Sequence, residues 1–369
     1  MSDTYCSLIH GGLVLNFKYG EIQTAQCCLQ YNPGKITSRS IWNDSKFIPL
    51  RKINQQNQWA FNCKNCETLE KNGVESLRTG MNKGLGIKDQ YNLSGPARID
   101  LMFDTSCNLA CRTCDPRNST FWQKHLTENN QQYISTIPVS YLQVIEALAE
   151  LDLSNLRMLV FSGGETLLGQ TYWKVAEWLA DNVPNAKQNL TLCFQTNATQ
   201  PINERNYKTI EKVFLVQLQC SLDGIDKRFE YLRWPAKWDQ VSHNLAQIKN
   251  TAPSNTMFLV EETVSIFNFY YMNELEIWAK TNFAVNREQD PINHNRHLAS
   301  RTFSIQQLTQ EYVDAMQDSP YKNFISVAWR ENSTDIIKMI AEIKKFDQFR
   351  NQSFKKTFPE VAEFYARYL

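Results

Sequence analysis

Between residues 13 and 26 the chain reads LVLNFKYGEIQTAQ, alternating apolar and polar positions on either side of Gly20, a pattern that predicts a β-hairpin. From Ala97 onward the pattern changes to short apolar runs separated by segments of helical period. ARIDLMF, MLVFSGGE, NLTLCFQTNAT, VFLVQLQCSLDG and TMFLVEETVSIFN read as strands. Helices are expected from Ser140 to Leu151, where Leu142, Ile145, Leu148 and Leu151 share one face, over TYWKVAEWLADN, between the third and fourth strands, and from Trp238 to Ile248. Repeated βα units imply a parallel sheet with right-handed crossovers and ligand sites at the C-terminal ends of its strands. After Asn268 come a helix over Met272 to Thr281, an irregular polar stretch with Pro291, His294 and His297, and helical periodicity over Ser304 to Met316 and Thr334 to Lys345. The amide-rich patches Asn54 to Gln58 and Asn129 to Gln132 read as loops.

Charge changes this picture little. Lys plus Arg number 39 and Asp plus Glu 38 among 369 residues, so no polyanion-binding surface is advertised and nucleic acid is not expected as a partner. The opening MSDTYCSLIHGG lacks a basic start followed by an apolar run, and no apolar stretch approaches the roughly 20 residues that cross a bilayer. Neither a secretory leader nor a membrane span is expected. The ten cysteines then suit a reducing cytoplasm, where clustered thiols point to metal or catalysis before disulfides.

The cysteines carry the chemistry. CNLACRTC places Cys107, Cys111 and Cys114 within eight residues, directly after a strand. Three thiols on a four-iron four-sulfur cube leave one iron open for a substrate or cofactor. A structural zinc normally takes four protein ligands, so three close thiols with no nearby fourth fit zinc poorly. Upstream, Cys6, one of Cys27 and Cys28, and the pair Cys63 and Cys66 in NCKNCE give four thiolates, a set that suits zinc or a fully ligated iron–sulfur cluster. Cys28 is taken as the fourth thiol. Cys193 and Cys220, inside apolar strands, read as core. None of the five histidines shows ligand spacing, and His10 reads as a surface or hairpin residue.

The spacing of Cys107, Cys111 and Cys114 resembles the signature of the radical S-adenosylmethionine (SAM) enzymes, and downstream motifs extend the likeness. Gly163, Gly164 and Glu165 in FSGGE correspond to the element that binds the SAM amino group. Asn197 in QTNAT resembles an element near the SAM carboxylate and ribose, with Ala198 in place of the usual glycine. Ser221 and Asp223 in CSLDG resemble residues that face the ribose, and Arg233 in YLRW an arginine that pairs with the SAM carboxylate. Thr113 departs from the apolar residue usual before the third cysteine. The N-terminal order of cysteine, glycine hairpin, cysteine, CxxC and ESLRTGMN is similar to the auxiliary-cluster region of SPASM and twitch proteins, although that region usually follows the core. The ending FDQFRNQSFKKTFPEV also resembles a twitch-type tail, which implies packing across the barrel opening.

The resemblance implies an α/β fold: a partial (β/α)6 TIM-like barrel with a small N-terminal cysteine-rich β-hairpin domain and a helical C-terminal tail. Its divisions would be a twitch-like domain over 1–93, the core over 94–275 and a mainly helical region over 276–369. It implies a SAM-binding 4Fe-4S cluster, SAM, an auxiliary 4Fe-4S cluster, a peptide or small-molecule substrate, and a reductant such as flavodoxin or ferredoxin. Two other readings fit the same residues. One is a radical SAM enzyme acting on a sugar or other metabolite with structural zinc at its N-terminus. The other is a non-enzymatic metal-binding interaction protein.

Overall fold

The computed structural model describes residues 4–18, 20–30, 34–36, 40–71, 73, 75–87, 90–129, 139–283, 294–299, 301–328 and 333–369. The alternating segment forms the expected hairpin of β1 (Gly12–Lys18) and β2 (Glu21–Ala25), and β3 (Gly34–Lys35) pairs antiparallel with β2. The apolar runs form β4 (Arg98–Met102), β5 (Met158–Ser162), β6 (Thr191–Thr196), β7 (Leu215–Ser221) and β8 (Thr256–Val264). A further strand, β9 (His294–Leu298), falls in the stretch expected to be irregular. HNRHL has no apolar alternation to announce it; parallel backbone pairing with β8 recruits it at the sheet edge. Pro291 lies outside the described residues.

The described strands make one sheet in the order β3-β2-β1-β4-β5-β6-β7-β8-β9, parallel from β1 through β4 to β9. The hairpin therefore extends the main sheet, with Gly12 opposite Arg98 at the N-terminal end of β4. One face is apolar. Leu15, Leu101, Phe161, Phe194 and Leu218 pack there with helix residues such as Leu148, Val175 and Leu245. The other face is polar and largely buried. Arg98 pairs with Asp100 at 2.7 Å, and Cys193 and Gln219 both donate to Gln217 Oε1. Cys220 lies in the apolar core, while Cys193, equally buried, belongs to this polar layer.

Helices match the periodic segments at Tyr141–Ala149, Thr171–Asn182, Trp238–Thr251, Met272–Phe283 and Ser333–Arg350. Ser304 to Met316 differs from the continuous helix expected. Ser304 caps a short turn at Ile305–Gln307, and Thr309 caps a separate helix at Gln310–Ala315 by accepting from Tyr312 N–H. No helix among the described residues is long and apolar enough to cross a membrane.

Asn54 also departs from expectation. It lies in the last turn of the Ile48–Gln55 helix, and its buried amide accepts from Cys6 N–H at 3.0 Å, donates to Thr4 O at 2.7 Å and meets His10 Nε2 at 3.1 Å. His10 is 1% exposed and stacks on Tyr5, so it is a core group and not a surface one. Burial lowers its pKa to about 4, only partly offset by the Asn54 bond. A histidine that folds neutral binds its proton more tightly when unfolded, so its contribution is complete above about pH 6.5 and declines as pH falls toward 4. The thermal midpoint should drop across that window, and His10→Gln should flatten the drop. Identical pH profiles for the two proteins would remove His10 as its source.

Candidate active site

The loop Cys107 to Cys114 follows β4 at the C-terminal edge of the sheet and is tied down on three sides. Ala110 N–H donates to Trp234 O and Arg112 N–H to Leu232 O, both at 2.8 Å. Ser119 Oγ donates to Leu109 O at 2.6 Å and also caps the Thr120–Glu128 helix, whose Trp122 Nε1 donates to Cys111 O at 2.9 Å. The third tie is the C-terminal helix. Arg112, buried between two of the thiols in sequence, lies 3.6 Å from the Tyr231 ring centroid and donates to Asp347 at 2.7 Å and Gln352 at 3.0 Å. The end of the chain thus packs on the thiol loop itself.

The FSGGE element holds the loop from the sheet side. Gly164 N–H donates to Asp104 O at 3.0 Å and Glu165 N–H to Ser106 O at 2.8 Å. A Cβ on Gly164 would fall closer than 3.0 Å to Ser106 O, and one on Gly163 equally close to Asp104 O. Gly163 also has φ 130°, which side chains rarely tolerate. Glu165 is 1% exposed, and its carboxylate accepts from Thr196 Oγ1 at 2.5 Å, Asn197 N–H at 2.6 Å and Leu167 N–H at 3.0 Å. It locks β5 to β6 as well as standing beside the loop.

Asn197 reaches the loop directly, its Nδ2 3.1 Å from Asn108 Oδ1 and 4.0 Å from Cys107 Sγ. Ala198 adopts φ 57°, the left-handed conformation that glycine would take freely and that costs other residues about 1 kcal/mol. Ser221 ends β7. Asp223 accepts from Thr263 N–H at 2.9 Å and touches Arg233 Nε at 2.9 Å, an ion pair whose N–H is not aligned for a hydrogen bond. Arg233 Nη1 lies 4.0 Å from Cys111 Sγ. The arginine expected at the SAM carboxylate is thus already shared between Asp223 and a thiol.

Burial raises the pKa of all three loop thiols. Burial and then Cys111 push Cys107 up to about 12, and burial followed by repulsion from Cys111 and Cys107 raises Cys114 further. Burial also raises Cys111, opposed by Arg233. Thiols in this position become thiolates only with a cationic centre to bind. Among the described residues no three His, Cys, Asp or Glu side chains converge as on a single metal ion. Three half-buried soft donors on one loop, beside a cation, suit a thiolate-ligated iron–sulfur cube, which spreads its ligands over separate corners.

A second thiol group lies at the other end of β1 and β4. Cys6, Cys27, Cys63 and Cys66 line one recess together with Arg78. The expectation of Cys28 as the fourth thiol differs from this arrangement: Cys28 is exposed outside the recess and interacts electrostatically with Arg98. Burial raises Cys6 to about 11 and Cys63 to about 12, and a bond to Cys28 followed by burial raises Cys27. β4, about 13 Å from first to last Cα, runs between the two thiol groups.

No protein-family model matches this chain, and neither does any curated protein. Solved structures similar to it include anSMEcpe with bound AdoMet, at 16% identity over 63% of this chain and 64% of that one, with a TM-score of 0.43. The same protein with AdoMet and the Cp18Cys peptide is 15% identical over 63% of each chain, at a TM-score of 0.40. Streptococcus suis SuiB bound to S-adenosylmethionine is 12% identical over 86% of this chain and 62% of that one, at 0.37. The chain spans less than two thirds of each of these proteins. Likeness this distant transfers neither residue roles nor activity.

The structure therefore brings Cys107, Cys111, Cys114, Gly163, Gly164, Glu165, Asn197, Asp223 and Arg233 into one neighbourhood by direct contacts. Sequence reasoning missed Arg112, Trp122 and the C-terminal partners Asp347 and Gln352. Arg112 and Asp347 are 235 positions apart, and no local pattern marks them as a pair.

Proposed function

We propose that the chain is a radical SAM enzyme in which Cys107, Cys111 and Cys114 hold a 4Fe-4S cluster with one iron open to SAM. The observation that carries this reading is the half-buried three-thiol loop at the C-terminal end of a parallel strand, zipped to a Gly-Gly edge on the next strand. A cluster held by Cys107, Cys111 and Cys114 would, with SAM bound and one electron from a donor such as flavodoxin or ferredoxin, supply reductive cleavage of the sulfonium C5′–S bond to methionine and a 5′-deoxyadenosyl radical able to take a hydrogen atom from a substrate carbon.

The protein's part is placement. Gly163 and Gly164 keep the strand edge free of side chains, and their carbonyls and that of Glu165 are the groups assigned to the SAM amino group. Asn197, Ser221 and Asp223 supply polar groups toward the ribose side. Arg233, at 4.0 Å from Cys111 Sγ, offsets thiolate charge and orients Asp223. The six parallel strands β4 to β9 form the open barrel of this reading, and their polar face receives a peptide or small-molecule substrate.

The recess of Cys6, Cys27, Cys63 and Cys66 is assigned an auxiliary 4Fe-4S cluster. Four thiols fill every corner of a cube, and the recess lies a strand's length from the first loop, so electron transfer is favoured over direct contact with substrate. Anaerobic reconstitution should give roughly eight irons per chain, four for each cluster. Cys27→Ser should remove about half of that iron and Cys28→Ser almost none. The opposite pattern would assign the ligand to Cys28, and zinc in place of half the iron would assign the recess a structural metal. The reading as a whole is tested by adding SAM and dithionite to the loaded protein: 5′-deoxyadenosine is expected, and its absence rejects the proposal in favour of a non-enzymatic metal-binding protein.

A further inference from the structure

Arg350 ends the Ser333–Arg350 helix and is 6% exposed, yet none of its guanidinium nitrogens has a hydrogen-bond partner among the described residues. Its head sits in an aromatic cage, 4.9 Å from the ring centroid of Trp122, 5.0 Å from Trp234 and 4.8 Å from Phe346. Cation–π attraction and the helix C-terminus recover only part of the cost of burying an unpaired ion. The nearest carboxylate in sequence is already engaged: Asp347 accepts from Arg112 and Tyr231 on one oxygen and from Phe354 N–H on the other. Both tryptophans of the cage are fastened to the thiol loop, Trp122 by its indole N–H donating to Cys111 O and Trp234 by its backbone carbonyl accepting from Ala110 N–H. Arg350 and Cys111 also act on each other electrostatically.

We propose that Arg350 is the fixed countercharge of the Cys107–Cys111–Cys114 centre, unbalanced in the bare fold and balanced once those thiols are cluster-bound thiolates. This rests on reading the three thiols as cluster ligands. Arg233 cannot fill the same role alone, because Asp223 already offsets it. Each bound thiolate brings one negative charge, and reduction of the cluster by one electron brings another. A permanent cation behind Cys111 therefore favours assembly and, more strongly, the reduced state. The C-terminal helix is then a positioning element for the redox centre as well as a cover over it.

Arg350→Met keeps an aliphatic chain in the cage and removes the charge; Arg350→Lys keeps the charge. Apo protein, anaerobically reconstituted protein and an EPR-monitored potentiometric titration give three readouts. In the apo state Arg350→Met should melt at or above the wild-type midpoint, since an unpaired buried cation has been removed. In the loaded state its reduction equilibrium should move about tenfold toward the oxidised form, a downward shift of about 59 mV for one electron. Iron retention should fall, and Arg350→Lys should restore both. An apo Arg350→Met protein that fails to fold or melts lower makes the arginine a packing group and overturns the inference. An unchanged potential in a normally loaded variant does the same while leaving the cluster reading intact. A wild-type protein that assembles no cluster on the three thiols removes both.

Discussion

Cys111→Ser should abolish SAM cleavage while the auxiliary recess keeps its iron. Serine fills nearly the same volume, so the loop can retain its ties from Ala110, Arg112 and Trp122, all of which use backbone atoms or other side chains. What it loses is a soft thiolate, and a hydroxyl in its place is a poor ligand for iron. Changes one layer outside a metal already cost roughly 10- to 100-fold, so loss of a ligand should lower 5′-deoxyadenosine formation by more than about 100-fold. Total iron should fall by about half, with four of the eight atoms lost. Cys220→Ser, in the apolar core, is the comparison: it can lower stability but should leave iron content alone. Full iron and full SAM cleavage in Cys111→Ser would show that the loop is not the reactive centre.

Gly164→Ala should be strongly destabilising, and by overpacking alone, since Gly164 lacks the positive φ that would add strain at Gly163. The new Cβ would press on Ser106 O from closer than 3.0 Å, and the obstacle is backbone that cannot rotate away. Moving apart would stretch the bonds from Gly164 N–H to Asp104 O and from Glu165 N–H to Ser106 O, which fix the residues leading into Cys107. Overpacking alone costs about 1–3 kcal/mol, and weakening two buried hydrogen bonds adds about 1 kcal/mol each. A loss of roughly 3 kcal/mol or more is expected in denaturant unfolding of the apo protein, with poor cluster loading as its consequence. Gly169→Ala sets the scale: its φ of 80° is strained for alanine, but open space surrounds it, so it should cost only about 1 kcal/mol. If the two variants unfold alike, the two strand ends are not as close as described.

Much of this arrangement was legible because it is local. Apolar runs became β4 to β8, the Gly20 hairpin formed as expected, and the cysteine loop fell at a strand end. β9 escaped notice since an edge strand is held by one neighbour's backbone and needs no apolar alternation of its own. The split of Ser304 to Met316 turned on two capping side chains, which a count of apolar spacing does not weigh.

The sequence by itself determined the donor types and their spacing: three thiols within eight residues, a glycine pair one βα unit later, and a CxxC upstream. Covalent spacing limits what a short loop can wrap, so those features survive any packing. Tertiary structure alone decided that Cys27 and not Cys28 lines the recess of the other three thiols, that Asn54 and His10 are core groups, and that Arg350 lies buried among Trp122, Trp234 and Phe346. Each of these depends on the direction a side chain takes after chain segments tens to hundreds of residues apart have closed on one another, and burial, which sets the cost of every charge in the site, exists only then.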